Sequence, residues 1–186
     1  WDPHRYFEWR NYFDYSGGIA TDLFIHRLTR ILKACDLKFP SRVVGMGGIY
    51  LWDDGRELPD NLEMLAEYSA VDGITNGMTV HILGTMGNDR GIDHLIRGDE
   101  ATLEFTSTGW EITSLETDEV IETHKKTGGE DMTLHHHNLH EAIRGNAEIK
   151  CPAELGMYGV AATEGVVRSA HENKMCNWDP MNRTWA

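Results

Sequence analysis

Residues 13–26 read FDYSGGIATDLFIH, and this stretch decides the interpretation of the whole chain. Two adjacent glycines, Gly17 and Gly18, predict a turn that opens a helix, because glycine lets the backbone bend sharply and approach other groups closely. In that helix Asp22 and His26 stand four residues apart, a spacing that places both side chains on one helical face. The stretch therefore predicts a carboxylate–imidazole pair just beyond the start of a helix.

An apolar stripe marks the other side of the same helix. With a rotation of roughly 100° per residue, five apolar residues share one face and predict the core side: Ala20, Phe24, Leu28, Ile31 and Cys35. Asp22 and His26 then point away from the core, and we expect them to border a cleft. Imidazole carries protons near neutral pH and a nearby carboxylate can orient it; a structural histidine is the alternative reading of the spacing alone.

The bulk composition is that of an ordinary globular protein. The chain has 186 residues, of which 40% are hydrophobic and 25% charged, which fits one soluble domain with a core. Its 17 basic and 30 acidic residues give a net charge of −13, which argues against a nucleic-acid partner. No apolar run predicts a membrane span. The compartment stays open between the cytoplasm and export after removal of an upstream signal.

Hydrophobic periodicity predicts an α+β fold. Alternation over residues 62–68, 74–83 and 101–112 predicts strands with one buried face, and the short turns between them favour antiparallel pairing. Helical spacing returns at 134–143 and again from Pro152 to about Asn173. The order of helix, strands and helices predicts an open, mostly antiparallel β-sheet with helices packed on one face.

Apolar residues also occur where the second face of this sheet is expected. Leu65, Leu83 and Ile112 are the examples, and a second face that is not wholly polar favours contact with another copy of the chain. We therefore expect a homo-oligomer that associates through the sheet face.

The chain resembles the C-terminal domain of the Gfo/Idh/MocA oxidoreductases. The string YFDYSGGIATDLFIH at 12–26 resembles the start of that domain, and Asp22 and His26 match its D-x-x-x-H pair. Further matches run in order along nearly all of the chain: GGIY at 47–50, PD at 59–60, GDEAT at 98–102, His135-x-x-Asn138, IR at 143–144 and WDP at 178–180.

The resemblance implies an activity and a set of site residues. Its members use NAD or NADP and act mostly on sugars, sugar derivatives and cyclitols, which implies that His26 is the acid/base and that Asp22 orients it. Gly17 and Gly18, at the start of the helix, are then expected to lie against the cofactor. Aromatic rings, arginines and polar side chains suited to a sugar supply the expected substrate contacts: Arg5, Trp9, Arg10, Asn88 and His135.

One departure from the family concerns the cofactor domain. The family carries an N-terminal Rossmann domain with a G-x-G-x-x-G turn and a Glu-Lys-Pro motif, and neither string occurs in this sequence. The chain also begins at Trp1 rather than at an initiator Met. We therefore expect residues 1–186 to be a single substrate-binding and oligomerisation domain, inactive alone. A non-enzymatic binding or assembly module that keeps the fold is the alternative, and some family members perform elimination or glycoside cleavage.

A histidine cluster at 135–140 raises the question of a metal. His136 and His140 have an i, i+4 spacing that suits zinc. A zinc site requires further ligands, however, and the resemblance accounts for His135 and Asn138 without a metal. We expect no metal at this cluster.

Overall fold

A computed structural model describes residues 1–129 and 131–186, which divide into two compact units. The first comprises residues 1–89 and 151–186, and the second comprises residues 90–150. The helical elements are α1 (Pro3–Phe7), a 3₁₀ turn (Trp9–Asn11), a π-turn (Ala20–Phe24), α2 (Ile25–Ala34), α3 (Met132–Ile143) and α4 (Ala153–Glu172). The strands are β1 (Arg42–Gly48), β2 (Asn61–Tyr68), β3 (Met78–Thr85), β4 (His94–Arg97), β5 (Ala101–Phe105), β6 (Gly109–Ser114), β7 (Val120–Lys125), β8 (Cys176–Asp179) and β9 (Thr184–Trp185).

The first unit is a five-stranded sheet with helices on one face. Its strand order is β3-β2-β1-β8-β9, and each described pair is antiparallel. Alternation along the strands gives the sheet one buried face: Val43, Leu62, Met64, Ala66, Tyr68, Val80 and Ile82. Helix α4 crosses this face closely at Gly45, where the Val166 carbonyl leaves no room for a side chain. The Gly45 N–H donates to Ser169 Oγ at 2.9 Å.

The predicted apolar stripe of the first helix is present with one change. Ala20, Phe24, Leu28, Leu32 and Cys35 are buried, whereas Ile31 is only half-buried. The helix opens with the π-turn, in which hydrogen bonds close over five residues rather than four. This wider turn changes the angular phase, so that every fourth residue from Ala20 faces the core and Leu32 takes the predicted place of Ile31.

The second unit is a four-stranded antiparallel meander, β4-β5-β6-β7, followed by α3. The carboxylate of Asp131 caps α3 by accepting the Thr133 N–H at 2.8 Å. The Asn138 amide fixes the chain after the helix, since it donates to the Glu148 carbonyl and accepts the Lys150 N–H, both at 2.9 Å. No helix in the described residues of either unit is long and apolar enough to cross a membrane.

The α+β class with antiparallel sheets is confirmed, but the predicted strands belong to two sheets. β2 and β3 lie in the first unit, and β5 and β6 lie in the second. β3 begins at Met78 rather than at residue 74, because Val71 and Thr75 close a tight bridge and Gly77 adopts a φ of 135°. We expected Ile112 to lie on the same sheet as Leu65 and Leu83. It lies instead in β6, in the sheet of the second unit.

A buried carboxylate organises the β1–β2 loop, residues 49–60. Asp60 is fully buried, and its two oxygens accept the N–H groups of Tyr50 at 2.9 Å, Leu51 at 2.8 Å and Trp52 at 3.1 Å. Burial alone would raise the pKa of Asp60, but these three donors and the nearby Arg56 outweigh it and hold the pKa below the ordinary 3.8. The loop is therefore closed around a charged group.

We expect Asp60→Asn to destabilise the protein by about 1–3 kcal/mol at neutral pH, because the amide replaces one acceptor oxygen with a donor facing backbone N–H groups. Since the folded-state pKa of Asp60 is lowered, its stabilisation is fully present above the ordinary aspartate pKa and is lost as the pH falls through the folded value. Urea unfolding at several pH values measures this difference.

The difference between wild type and Asp60→Asn should therefore shrink on acidification. Asp72→Asn, at an exposed turn position, is the matched control and should stay within about 0.5 kcal/mol of wild type. An Asp60→Asn protein as stable as wild type at neutral pH would contradict this account.

Candidate active site

The N-terminal segment, residues 1–18, is tied to the β1–β2 loop by backbone and side-chain hydrogen bonds. The Asn11 carbonyl accepts the N–H groups of Glu57 at 2.9 Å and Leu58 at 3.0 Å. The Glu57 carboxylate in turn accepts the Phe13 N–H at 3.1 Å. The loop therefore determines where the N-terminal segment runs before it enters the π-turn.

Arg5 is held by carboxylates within the fold. Its guanidinium donates to Glu57 at 3.1 Å and to Asp14 at 2.7 Å, and it lies over the Tyr12 ring, 4.1 Å from the centroid. The hydrogen bond to Glu57 raises the pKa of Arg5, and the same bond lowers the pKa of Glu57. Arg5 thus helps to fasten the segment to the loop, and its predicted contact with substrate stays a prediction.

Local packing explains the glycine pair. Gly18 is buried with a φ of 60°, and a Cβ atom there would lie 3.3 Å from Leu58 Cβ, so both backbone and space favour glycine. The Gly17 N–H donates to Thr21 Oγ1 at 3.2 Å and the Gly18 N–H donates to Ser16 Oγ at 2.9 Å. Both amides therefore have partners within the turn, and the assignment of the two glycines to a cofactor stays a prediction.

Three of the predicted site residues come together at the π-turn. Arg10 Nε donates to the Asp22 carboxylate at 2.9 Å, and the Arg10 guanidinium stacks 4.2 Å from the Trp9 ring centroid. His26 follows in the first turn of α2 and is exposed. The sequence thus folds into a surface with an aromatic ring, a cation, a carboxylate and an imidazole, which we call the Asp22 surface: Trp9, Arg10, Asp22 and His26. A π-turn within a helix is frequent at functional sites.

The two remaining predicted substrate contacts lie elsewhere along the chain. Asn88 is exposed in the loop after β3. His135 is exposed in the first turn of α3, where its ring lies 6.3 Å from that of His136. Their roles stay predictions. Over residues 1–129 and 131–186, no three His, Cys, Asp or Glu side chains are grouped so that they could hold a metal ion.

A depression of about 340 Å³ lies between the end of the N-terminal segment, the start of the π-turn and α4. Among its lining residues are Phe13, Gly17, Thr21, Glu164, Arg168 and His171. Asp22 and His26 are not among its lining residues, and their position beside a cleft stays a prediction. Burial raises the pKa of the Glu164 carboxyl within the depression.

Sequence reasoning missed the residues that support the Asp22 surface. Asp60, Glu57 and Leu58 bear no catalytic pattern, and each acts through backbone groups distant in sequence. The only signal was a proline–aspartate step at 59–60 after a Gly- and Asp-rich turn, which marks a loop end where a carboxylate can accept backbone N–H groups.

Comparison with known proteins identifies the family. Residues 41–178 match the model of the Gfo/Idh/MocA oxidoreductase family, C-terminal alpha/beta domain. The chain therefore belongs to this oxidoreductase family, which confirms the resemblance read from the sequence. No curated protein matches the chain significantly.

Solved structures share the fold at low sequence identity. Aldose-aldose oxidoreductase from Caulobacter crescentus, in complex with glycerol, is 15% identical with a TM-score of 0.69, over 91% of this chain and 50% of that one. The WlbA dehydrogenase from Bordetella pertussis, in complex with NADH and UDP-GlcNAcA, is 15% identical with a TM-score of 0.60, over 96% and 51%. UDP-N-acetylglucosamine 3-dehydrogenase GnnA from Acidithiobacillus ferrooxidans is 15% identical with a TM-score of 0.63, over 83% and 47%. The chain spans about half the length of these proteins.

Proposed function

We propose that this chain is the substrate-binding and oligomerisation half of an NAD(P)-dependent oxidoreductase that acts on a sugar, sugar derivative or cyclitol. The observation that carries the proposal is the Asp22 surface, in which Arg10 holds the Asp22 carboxylate at the start of the helix that bears His26. It precedes residues 41–178, which match the oxidoreductase family model. Solved structures of similar fold include an aldose-aldose oxidoreductase and a UDP-N-acetylglucosamine 3-dehydrogenase. These neighbours support a carbohydrate as the substrate class.

The proposed chemistry divides between the imidazole and its neighbours. In alcohol oxidation the substrate O–H loses its proton to His26, while the carbon loses a hydride and the C–O bond becomes a carbonyl. Asp22 orients His26 and accepts a hydrogen bond from the substrate, and Arg10 holds the Asp22 carboxylate in place at 2.9 Å. A bound nicotinamide would supply the hydride acceptor.

The described residues suit the nicotinamide ring of such a cofactor better than the rest of the dinucleotide. Asp22 and His26 are accessible enough to leave room for a ring beside them. Dinucleotide-binding folds, in contrast, use parallel strands and a glycine-rich turn, whereas the paired strands described here are antiparallel. We therefore infer that a separate domain holds NAD or NADP and that residues 1–186 alone do not turn over.

Replacing the proposed base tests this function. In the intact protein, supplied with NAD⁺ or NADP⁺ and a panel of hexoses and inositols, we expect His26→Ala to lower kcat about 10²- to 10⁴-fold, because the proton acceptor is lost. Formation of reduced nicotinamide measures the rate. His124→Ala, an exposed histidine of β7, is the matched control and should retain wild-type turnover.

Two outcomes would contradict the assignment. Full activity in His26→Ala would remove His26 from the mechanism. Binding of panel sugars by an intact protein that never reduces NAD⁺ or NADP⁺ would favour the alternative, a non-enzymatic binding or assembly module.

We also propose that the open face of the first-unit sheet pairs with a second copy of the chain. Met46, Leu65 and Leu83 are exposed on the face opposite the helices, a cluster of apolar side chains that water does not favour. Polar contacts lie among them: the His81 ring is 3.2 Å from the Glu63 carboxylate, and Arg42 forms an ion pair with Glu67 at 2.5 Å. A two-fold contact would bury this same patch on both copies.

Sedimentation tests this association. We expect a dimer at micromolar concentration, with about 1,600 Å² or more buried in total, and we expect Leu65→Lys to give monomers because two-fold symmetry places two new charges in the interface. Leu115→Lys, in an exposed turn of the second unit, should remain dimeric. A monomeric wild type, or a dimer that tolerates Leu65→Lys, would contradict the proposed interface.

A further inference from the structure

The β1–β2 loop presents large apolar side chains to solvent. Tyr50 is 70% exposed, Leu51 is 53% exposed and Trp52 is 39% exposed. A run of three such side chains is unusual on a surface that has no partner, because each leaves apolar area in water. A polar residue, Asp53, follows Trp52 directly and is also exposed.

This loop is nevertheless held rigidly. The Asp60 carboxylate fixes the backbone N–H groups of Tyr50, Leu51 and Trp52. The Tyr50 ring lies against Gly48, where an added Cβ atom would come within 2.7 Å of Cε1, and Leu51 packs against Gly87. The exposed side chains therefore stand on a backbone that is already ordered, so little conformational entropy is lost when a ligand binds.

An arginine supports the ring of Trp52. The Arg56 guanidinium lies 4.7 Å from the Trp52 ring centroid and donates twice to Asp54, at 2.8 and 2.7 Å. The bond from Arg56 lowers the pKa of Asp54 to about 2, so this pair stays ionised throughout the physiological range. The arginine is nearly buried, which leaves one face of the indole backed by the fold.

The end of the loop is hydrogen-bonded to the N-terminal segment, which carries part of the Asp22 surface. Glu57 and Leu58 donate to the Asn11 carbonyl, one residue after Arg10. Leu58 also packs against Gly18, which precedes the π-turn. These contacts join the end of the loop, residues 57–58, to the segment that carries Trp9 and Arg10.

We propose that Tyr50 and Trp52 form an aromatic wall that binds the ring of a polyhydroxylated substrate, a pyranose or a cyclitol. The inference rests on the proposed function, because the Asp22 surface supplies the reacting groups. A pyranose or cyclitol has one face of C–H groups that packs on an aromatic ring and a rim of hydroxyls that require polar partners. Tyr50, Trp52 and Asp53 offer both kinds of contact on a preformed loop.

Substitutions in the loop test the wall directly. Saturation-transfer NMR with the 186-residue chain, using methyl α-D-glucopyranoside and myo-inositol as probes, should detect binding that weakens about tenfold or more in the double variant Tyr50→Ala/Trp52→Ala. Tyr50→Phe/Trp52→Phe should restore most of it, because the rings rather than the hydroxyl or indole N–H carry the contact. Trp1→Ala, which removes an exposed tryptophan outside the loop, is the control and should bind as wild type does.

Kinetics of the intact protein separate this proposal from the proposed function. We expect the double alanine variant to raise KM for a cyclic substrate about tenfold with little change in kcat, whereas His26→Ala lowers kcat. Unchanged KM and unchanged probe binding in the double variant would overturn the wall while leaving the function intact. Full turnover in His26→Ala, together with weakened binding in the double alanine variant, would overturn the role of His26 while leaving the aromatic wall intact.

Two further results would also overturn the wall. Wild-type chain that gives no saturation transfer to either probe would show that the loop does not bind such rings. A double variant that loses self-association in sedimentation, but keeps probe binding, would assign Tyr50 and Trp52 to an interface between copies.

Discussion

The carboxylate of Asp60 is the point on which the candidate site depends. A buried charge is costly unless hydrogen bonds replace its lost hydration, and here three consecutive N–H groups of the β1–β2 loop do so. That loop then supplies Glu57 and Leu58, which hold the N-terminal segment at Asn11. The segment carries Arg10 to Asp22. One buried ion is thus connected, through local contacts, to the orientation of a carboxylate that we propose for catalysis.

The π-turn gives the same region its second constraint. It places Asp22 beside Arg10, and it lets Ala20, Phe24 and Leu28 keep the helix on the core. A regular helix repeats every 3.6 residues, whereas the wider π-turn at the start of this helix changes which of the following residues face the core. The local cost is offset by packing of the buried face, as is common where an element serves both a core and a site. The exposed face of the helix start is therefore positioned by the buried one.

Sequence predicted the elements well because their period is a local property. The first helix and the helix that ends near Asn173 are present, and alternation identified β2 and β5. Strand partners depend on contacts distant in sequence, so the division into two sheets could not be read from alternation. Leu32 rather than Ile31 faces the core because of the π-turn, and no hydrophobic periodicity in the sequence indicates such a turn. Trp9, Arg10 and Asp22 were each candidates from the sequence, but the contact between Arg10 and Asp22 was not predicted. The Asp60 support was not predicted either, because a carboxylate that binds backbone amides leaves no side-chain pattern.

Hydrogen exchange in Asp60→Asn tests this chain of dependence most directly. Loss of the Asp60 carboxylate should speed exchange at the amides of residues 50–52. The effect should extend to Glu57, Leu58 and Phe13, whose N–H groups tie the loop to the N-terminal segment. Amides within α4 should keep their protection, as an internal reference. Faster exchange confined to residues 50–52, with the amides of Glu57, Leu58 and Phe13 unchanged, would contradict the account, because the segment that carries Arg10 would then be positioned independently of Asp60.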